Sequence, residues 1–158
     1  MSEVPEKLGH GGRLPKWMRS SFDGGRTRAG VRTLLRDLGL NTVCESARCP
    51  NLCECWKRKS ATLMLLGDQC TRNCRFCAID GGIPEPPDPS EPEHVAEAVE
   101  RLGLKYVVLT CVTRDDLPDG GAGHIAVTIG RVKDRAPGIR IEVLPSDFSG
   151  RLVDVSTV

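Results

Sequence analysis

Hydrophobic residues along the chain recur with two different periods, and each period predicts one type of element. Apolar positions between residues 31 and 38 lie three or four apart, which predicts one face of a helix that ends at Gly39. Residues 61–66 form a continuous apolar run, which is typical of a strand buried on both faces. Residues 1–26 show neither period and predict an extended or loosely wrapped segment.

The second half of the chain alternates between helices and strands. Ser90 and Glu93 have the spacing of a capping box, and the amphipathic helix that they begin ends at Gly103. The remaining predicted elements are a strand over 106–109, a helix over 124–135 and a strand over 139–144. Buried strands that alternate with amphipathic helices form right-handed crossovers. We therefore expect an α/β fold with about three parallel strands.

Parallel strands place the loops that follow them at one edge of the sheet. The three loops are residues 69–77, 111–119 and 145–147. Because catalytic residues of barrel enzymes lie in loops of this kind, we expect the functional site at this edge.

Composition restricts the class of protein. The chain has 158 residues, and no apolar run approaches the roughly 18 residues that a membrane helix needs, so we expect no membrane segment. The first ten residues show no secretory signal or transit peptide, which predicts a cytoplasmic location. Residues 1–59 hold 12 Lys and Arg against 6 Asp and Glu. This net positive charge suits an acidic partner, and a solvated surface without a partner is the alternative. An aromatic content of 4% argues against nucleic-acid binding by stacking.

Seven of the eight cysteines lie between residues 44 and 77. Disulfides are rare in reducing compartments, so this clustering indicates metal binding. Cys70, Cys74 and Cys77 place three thiols on the first of the predicted loops. A cubane held by three thiolates keeps one iron open, whereas structural zinc and ferredoxin-type clusters take four ligands. The loop therefore predicts chemistry, and a zinc or redox-switch loop is the alternative.

The spacing Cys-x3-Cys-x2-Cys, with Phe76 before the last cysteine, resembles the signature of the radical S-adenosylmethionine superfamily. The resemblance implies a partial or full (βα) barrel in which these three catalytic cysteines hold a [4Fe-4S] cluster. It also implies that S-adenosylmethionine binds the open iron and is cleaved to a 5′-deoxyadenosyl radical. Further cofactor contacts would come from Phe76, Thr110, Arg114 and Asp115. A surface salt-bridge cluster is the alternative interpretation of the charged residues after Thr110.

Cys44, Cys49 and Cys55 form a second triplet, spaced Cys-x4-Cys-x5-Cys, just ahead of the first strand. With the string Ala-Arg-Cys-Pro-Asn-Leu inside it, this triplet resembles the lipoyl synthase family. Matching strings occur at residues 14–19, 66–72 and 114–124. The resemblance implies a second [4Fe-4S] cluster, held by the second triplet, that supplies sulfur for insertion at C6 and C8 of a protein-bound octanoyl group.

The same resemblance implies a set of partners. They are an octanoylated lipoyl carrier domain or a glycine-cleavage H-type protein, an electron donor and iron-sulfur assembly factors, with no nucleic acid and no membrane. Two alternatives stay open: a non-catalytic iron-sulfur or zinc-binding module, and another radical sulfur-inserting enzyme that acts on RNA.

The sequence also departs from the family pattern. The family fold has about six βα units, so we predict a truncated partial barrel: residues 60–158 are an incomplete radical core, residues 1–59 are a cluster-binding lobe, and the chain is inactive alone. The family's fourth ligand to the second cluster lies beyond the region matched. We interpret Cys53 as a bystander rather than that ligand, because Cys53 and Cys55 would point oppositely in extended backbone. Cys111 is predicted to be a small buried residue, and His124 an ordinary polar one.

Overall fold

The computed structural model describes residues 25–47 and 49–158, and the side chains from residue 29 onward within those ranges. The predicted extended segment over 1–26 lies outside the described residues except for its last two, which belong to a helix. The string at residues 14–19 and the residue at position 48 also lie outside them.

A small helical lobe precedes the sheet. Helix α1 (Gly25–Asp37) is followed by the short strand β1 (Asn41–Thr42) and by two short helices, α2 (Val43–Ser46) and α3 (Leu52–Lys57). The predicted face of α1 is buried at Val31, Leu34 and Leu35, and Gly39 ends the helix region with a φ of +65°. Helices α2 and α3 were not predicted, because neither is long enough to show an apolar period.

The rest of the chain confirms the predicted alternation of strands and helices. Its elements are β2 (Ser60–Leu65), α4 (Glu91–Leu102), β3 (Tyr106–Cys111), α5 (Ala122–Arg135), β4 (Arg140–Leu144), a 3-10 turn (Phe148–Gly150) and α6 (Leu152–Thr157). The predicted bounds differ from these by one or two residues at most termini, as expected where helix and strand ends fray.

The strands form one sheet in the order β1-β2-β3-β4. Strands β2, β3 and β4 are parallel, with Leu63 opposite Leu109 and Leu109 opposite Val143. The three parallel strands confirm the prediction, whereas the two-residue β1, antiparallel to β2, was not predicted. Within residues 25–47 and 49–158, nothing pairs with the outer edge of β4. The sheet is therefore open, which is consistent with a partial (βα) barrel.

Helices α4 and α5 pack against each other and share a core with the sheet. Val95 and Val99 of α4 and Ile125 and Val132 of α5 are at most 1% exposed. The apolar side chains that stay exposed near β4 and α6 are Leu144, Leu152, Val153 and Val155. No described helix is both long and apolar enough to cross a membrane.

The capping box predicted at the start of α4 is wrong. The Ser90 side chain makes no cap hydrogen bond. Instead the Ser90 backbone N–H donates to Asp88 Oδ1 at 2.8 Å, and the Glu93 carboxylate accepts from Arg135 on α5 at 2.8 Å. Glu93, the acid that a capping box would use here, is thus paired with an arginine of the neighbouring helix instead.

Candidate functional site

The loop that carries Cys70, Cys74 and Cys77 is closed at its base by backbone hydrogen bonds. The N–H of Cys70 donates to the Asp80 carbonyl at 3.0 Å, and the N–H of Gly82 donates to the Cys70 carbonyl at 2.9 Å. Between them, the N–H of Cys77 donates to the Cys74 carbonyl at 3.0 Å, which forms a tight turn. Cys70 is half-buried, and Cys74 and Cys77 are exposed. The structure therefore presents three accessible thiols on one closed loop at the carboxyl edge of the sheet.

A left-handed turn directs the chain from β2 into this loop. Leu66 and Gly67 have φ values of +68° and +93°, and the left-handed value is unusual for a leucine. The backbone N–H of Leu66 donates to Glu91 at 2.9 Å, and Arg114 lies 3.3 Å from its carbonyl oxygen. Glu91 Oε2 also lies 2.7 Å from His124 Nε2. Glu91 and Arg114 thus hold a strained residue just before the cysteine loop, and His124 contacts Glu91 from the neighbouring helix α5.

Arg72, in the spacer between the first two cysteines, joins the loops that follow all three parallel strands. Its guanidinium donates two hydrogen bonds of 2.8 Å to Asp115, which follows β3. It donates two more, of 2.8 and 3.0 Å, to Asp147, which follows β4. These bonds lower the pKa of Asp115, hold the pKa of Asp147 at about 2 and raise the pKa of Arg72. The edge therefore carries a charged cluster with both carboxylates ionised at neutral pH.

Thr71 adds a second link between the cysteine loop and the loop after β3. Its backbone N–H donates to the Thr113 carbonyl at 3.1 Å. Its hydroxyl oxygen lies 3.0 Å from the same carbonyl and accepts a hydrogen bond from the Asp115 N–H at 3.2 Å. Two adjacent residues of the cysteine loop are thus bonded to the loop after β3.

The second triplet is distributed over α2, α3 and the turn between them. Cys44 lies in α2 and is buried, Cys49 lies in the turn, and Cys55 lies in α3. The N–H of Cys49 donates to the Cys44 carbonyl at 3.0 Å, which folds the turn back on α2. Burial raises the pKa of the Cys55 thiol, and the nearby Cys44 and Cys49 raise it further. The three cysteines therefore lie on two adjacent short helices and the turn that joins them.

Two comparisons with known sequences agree with this architecture. The profile of the radical SAM superfamily matches residues 64–155, and the profile of the N-terminal domain of lipoyl synthase matches residues 2–49. The first match begins in the last two residues of β2 and covers the cysteine loop, β3 and β4. The chain belongs to the radical SAM superfamily. Members of this superfamily use a [4Fe-4S] cluster and S-adenosylmethionine.

Similar curated proteins extend the comparison. The chain is 50% identical over 145 residues to "Lipoyl synthase" of Thermus thermophilus, which is 91% of the chain and 45% of that protein. It is 51% identical over 146 residues to "Lipoyl synthase" of Oleidesulfovibrio alaskensis, at 92% of the chain and 50% of the relative. It is 52% identical over 145 residues to "Lipoyl synthase, mitochondrial" of Komagataella phaffii, at 89% of the chain and 35% of the relative. The chain thus spans half or less of the length of these relatives.

The donor set of the cysteine loop fits the radical SAM cluster. Three thiolates on one exposed loop provide three ligands and room for a fourth from a cofactor. In the part of the chain that the structure describes, no three Cys, His, Asp or Glu side chains are gathered as around a single metal ion. A cubane carries its irons on separate corners, so its ligand sulfurs lie further apart than those around one ion. Three thiols on one loop suit a cluster with one open iron, whereas a structural zinc site takes four protein ligands.

The four other residues predicted to contact the radical SAM cofactor lie in different surroundings. Phe76 is 93% exposed beside Cys77, and Thr110 donates to the Leu144 carbonyl at 2.8 Å. Asp115 lies in the Arg72 cluster at the sheet edge. Arg114 is 1% exposed, and its guanidinium is bonded to Asp116 at 2.7 and 2.9 Å. The observed bonds of Arg114 thus support the turn at Leu66, and its contact with the cofactor stays a prediction.

Two further cysteines were interpreted from the sequence. Cys53 lies in α3, so the extended backbone assumed for Cys53 and Cys55 is wrong. Its side chain packs half-buried against the core, whereas the thiols that shift the pKa of Cys55 are Cys44 and Cys49. Cys111 is half-buried, and burial raises the pKa of its thiol. Cys44 and Cys70, which are predicted ligands, pack in or against the same core, so the non-ligand roles of Cys53 and Cys111 stay predictions.

Sequence reasoning missed four residues that the site uses: Arg72, Glu91, His124 and Asp147. Arg72 and Asp147 lie in loops predicted at this edge but had no role assigned, and His124 was predicted to be an ordinary polar residue. The sequence did hold a signal for Arg72, because acidic residues follow both neighbouring strands and can pair with an arginine in the cysteine loop. The Glu91 and His124 contacts join α4 to α5, and no local pattern reveals such a pair.

Proposed function

We propose that the chain is the amino-terminal part of a lipoyl synthase. Such a radical SAM sulfurtransferase inserts two sulfur atoms, at C6 and C8, into an octanoyl group bound to a carrier protein. The observation that carries the proposal is the pair of cysteine triplets with family spacing, in a chain about half identical to proteins named lipoyl synthase.

Each cysteine triplet would hold its own cluster, and the two clusters would have different roles. Cys70, Cys74 and Cys77 would hold the cluster that binds S-adenosylmethionine, and the bound cluster supplies the electron for radical formation. Cys44, Cys49 and Cys55 would hold a second [4Fe-4S] cluster as sulfur source. A fourth ligand for that cluster would come from the portion of the protein that the relatives have beyond the matched region.

The remaining residues of the site would orient the cofactor. Asp115 and Thr110 lie after or at the end of β3, at the edge that carries the cysteine loop. Polar groups at this edge of a parallel sheet face the reacting groups in barrel enzymes. Phe76, exposed next to Cys77, would be covered when cofactor and cluster are bound.

The proposed partners follow from the reaction. The substrate would be an octanoylated lipoyl carrier domain or an H-type protein, with an electron donor and iron-sulfur assembly factors in support. The cytoplasmic location expected from the sequence stays a prediction, because the relatives include mitochondrial and bacterial proteins. Turnover would require the portion of the protein that the relatives have beyond the matched region.

Anaerobic reconstitution of the 158-residue chain tests the proposal. We expect about eight iron and eight sulfide per chain, no bound zinc, and 5′-deoxyadenosine from S-adenosylmethionine and dithionite when the carboxyl-terminal part of a relative is supplied. Cys74→Ala should abolish deoxyadenosine formation, and Cys111→Ala should preserve it. Stoichiometric zinc without acid-labile sulfide would instead establish a non-catalytic metal-binding module.

A further inference from the structure

Arg72 is the residue of the cysteine loop that reaches both neighbouring loops at the sheet edge. Its side chain forms two hydrogen bonds with Asp115 and two with Asp147, all of 2.8 to 3.0 Å. A guanidinium has five N–H donors in a rigid fork, and a lysine ammonium cannot reproduce that double bidentate arrangement. The contact therefore sets the relative position of three loops with a defined geometry.

The same residue is coupled to the cluster ligands through the backbone. Arg72 lies two residues after Cys70 and two before Cys74, so displacement of its backbone displaces both. Its backbone N–H lies 3.4 Å from Cys70 Sγ, within hydrogen-bonding range for sulfur. Hydrogen bonds to ligand sulfurs and the groups that orient ligands tune iron-sulfur clusters.

Solvent exposure limits what this network contributes to folding stability. The side chains of Arg72, Asp115 and Asp147 are 35%, 39% and 62% exposed. Single ion pairs this exposed contribute little to folding stability and a bidentate network contributes more, so the melting temperature of each variant is measured beside its cofactor affinity. The network has a larger effect on the position of the cysteine loop, which carries two exposed cysteines. Among the described hydrogen bonds, only those of Thr71 and Arg72 attach this loop to the loops after β3 and β4.

We infer that Arg72 is a positioning residue: through Asp115 and Asp147 it holds Cys70, Cys74 and Cys77 in the arrangement that accepts an open-iron cluster and its cofactor. The inference rests on the proposed function, because it requires a cluster at these three thiols. It assigns to Asp147 a role through Arg72, without contact to the cofactor. Loss of the guanidinium should therefore disturb the cluster more than the fold.

The test compares Arg72→Gln with Arg75→Gln in the anaerobically reconstituted chain. Arg75 is the matched control, because it lies in the same loop beside Cys74, is exposed and forms no ion pair with any residue that the structure describes. The readout is the change that S-adenosylmethionine causes in the EPR spectrum of the reduced protein, since only an open-iron cluster responds. We expect Arg72→Gln to raise the apparent dissociation constant of S-adenosylmethionine at least about 10-fold. Arg75→Gln should change that constant less than about 2-fold.

Two more variants separate positioning from direct contact. Arg72→Lys keeps the charge but not the fork, and we expect it to resemble Arg72→Gln. Asp147→Asn should raise the dissociation constant part-way, and adding it to Arg72→Gln should cause little further loss, because both act through one network. Circular dichroism melting checks the fold, and if Arg72→Gln melts well below the parent, Asp147→Asn and Arg72→Lys provide the comparison.

The outcomes are distinguishable. Equal dissociation constants for Arg72→Gln and Arg75→Gln overturn the inference and leave the proposed function standing. A loss with Arg72→Gln that Asp147→Asn and Arg72→Lys do not share assigns Arg72 to direct cofactor contact and also overturns positioning. A parent chain whose reduced cluster never responds to S-adenosylmethionine overturns the proposed function together with the inference.

Discussion

The Glu91 carboxylate on α4 accepts a hydrogen bond of 2.9 Å from the backbone N–H of Leu66, the residue at which the chain turns from β2 toward the cysteine loop. Glu91 is 6% exposed and also contacts His124 on α5. An acid this buried is unusual unless its oxygens are bonded. The contact thus ties the left-handed turn to both helices of the core.

Replacement of Glu91 by alanine should destabilise the fold. Glu91→Ala leaves the buried N–H of Leu66 without its partner, and such a loss costs about 1 to 3 kcal/mol in the free energy of unfolding. Urea denaturation followed by circular dichroism measures it. Glu100→Ala, an exposed acid on the same helix, is the control and should change stability by less than about 0.5 kcal/mol. Equal effects of the two variants would show that the Leu66 contact does not stabilise the turn.

Gly121 and Gly130 should respond oppositely to alanine. Gly121 has a φ of +89°, and a Cβ there would lie 2.3 Å from Cδ1 of the buried Leu66, so Gly121→Ala should cost about 1 to 3 kcal/mol. Gly130 lies inside α5 with nothing within 4 Å of an added Cβ, so Gly130→Ala should stabilise the chain by about 0.5 to 1 kcal/mol. Thermal melts of both variants check the signs. A stable Gly121→Ala variant would contradict the close approach to Leu66.

Asp119 should make stability depend on pH. Its carboxylate accepts hydrogen bonds from the backbone N–H groups of Gly123 and Gly121 at 2.8 and 2.9 Å at the start of α5, and these bonds lower its pKa. A group with a lowered folded pKa contributes stability above its unfolded pKa of about 3.9, and that contribution is lost as pH falls through the folded pKa.

The corresponding measurement is the free energy of unfolding between pH 7 and pH 3. Asp119→Ala should lose about 1 kcal/mol at pH 7 and converge with the parent at low pH. Asp119→Asn keeps an acceptor oxygen but does not titrate, so its stability should fall less than that of the parent over the same range. Parallel curves for all three proteins would show that Asp119 does not cap α5.

Cys53 should be dispensable for cluster binding. Cys53 and Cys55 lie two residues apart in α3, so their side chains do not share a face of the helix, which predicts that Cys53→Ala retains the iron and sulfide content of the parent. Cys55→Ala, two residues along the same helix, should lose about four iron per chain. Iron and acid-labile sulfide assays after anaerobic reconstitution measure both. Loss of iron from Cys53→Ala would make Cys53 a ligand.

The sequence alone determined the alternation of elements and the chemistry of the loops. Buried strands have continuous apolar runs and amphipathic helices have a period near 3.6, so the parallel sheet followed from residues 61–66, 106–109 and 139–144. The spacing of Cys70, Cys74 and Cys77 gave three thiols on the loop after the first strand without any structural information. Both are local properties, and local patterns express them fully.

Only the tertiary structure decided which polar groups meet. Arg114 follows a buried strand as a cofactor contact would, yet its guanidinium is buried against Asp116 and the Leu66 carbonyl. Arg72, which the sequence presents as a spacer residue, joins three loops. The reason is physical: long side chains select partners by distance and desolvation among groups far apart in sequence. The periodicity of the chain fixes where each element lies, and it does not specify which of those groups its side chains contact.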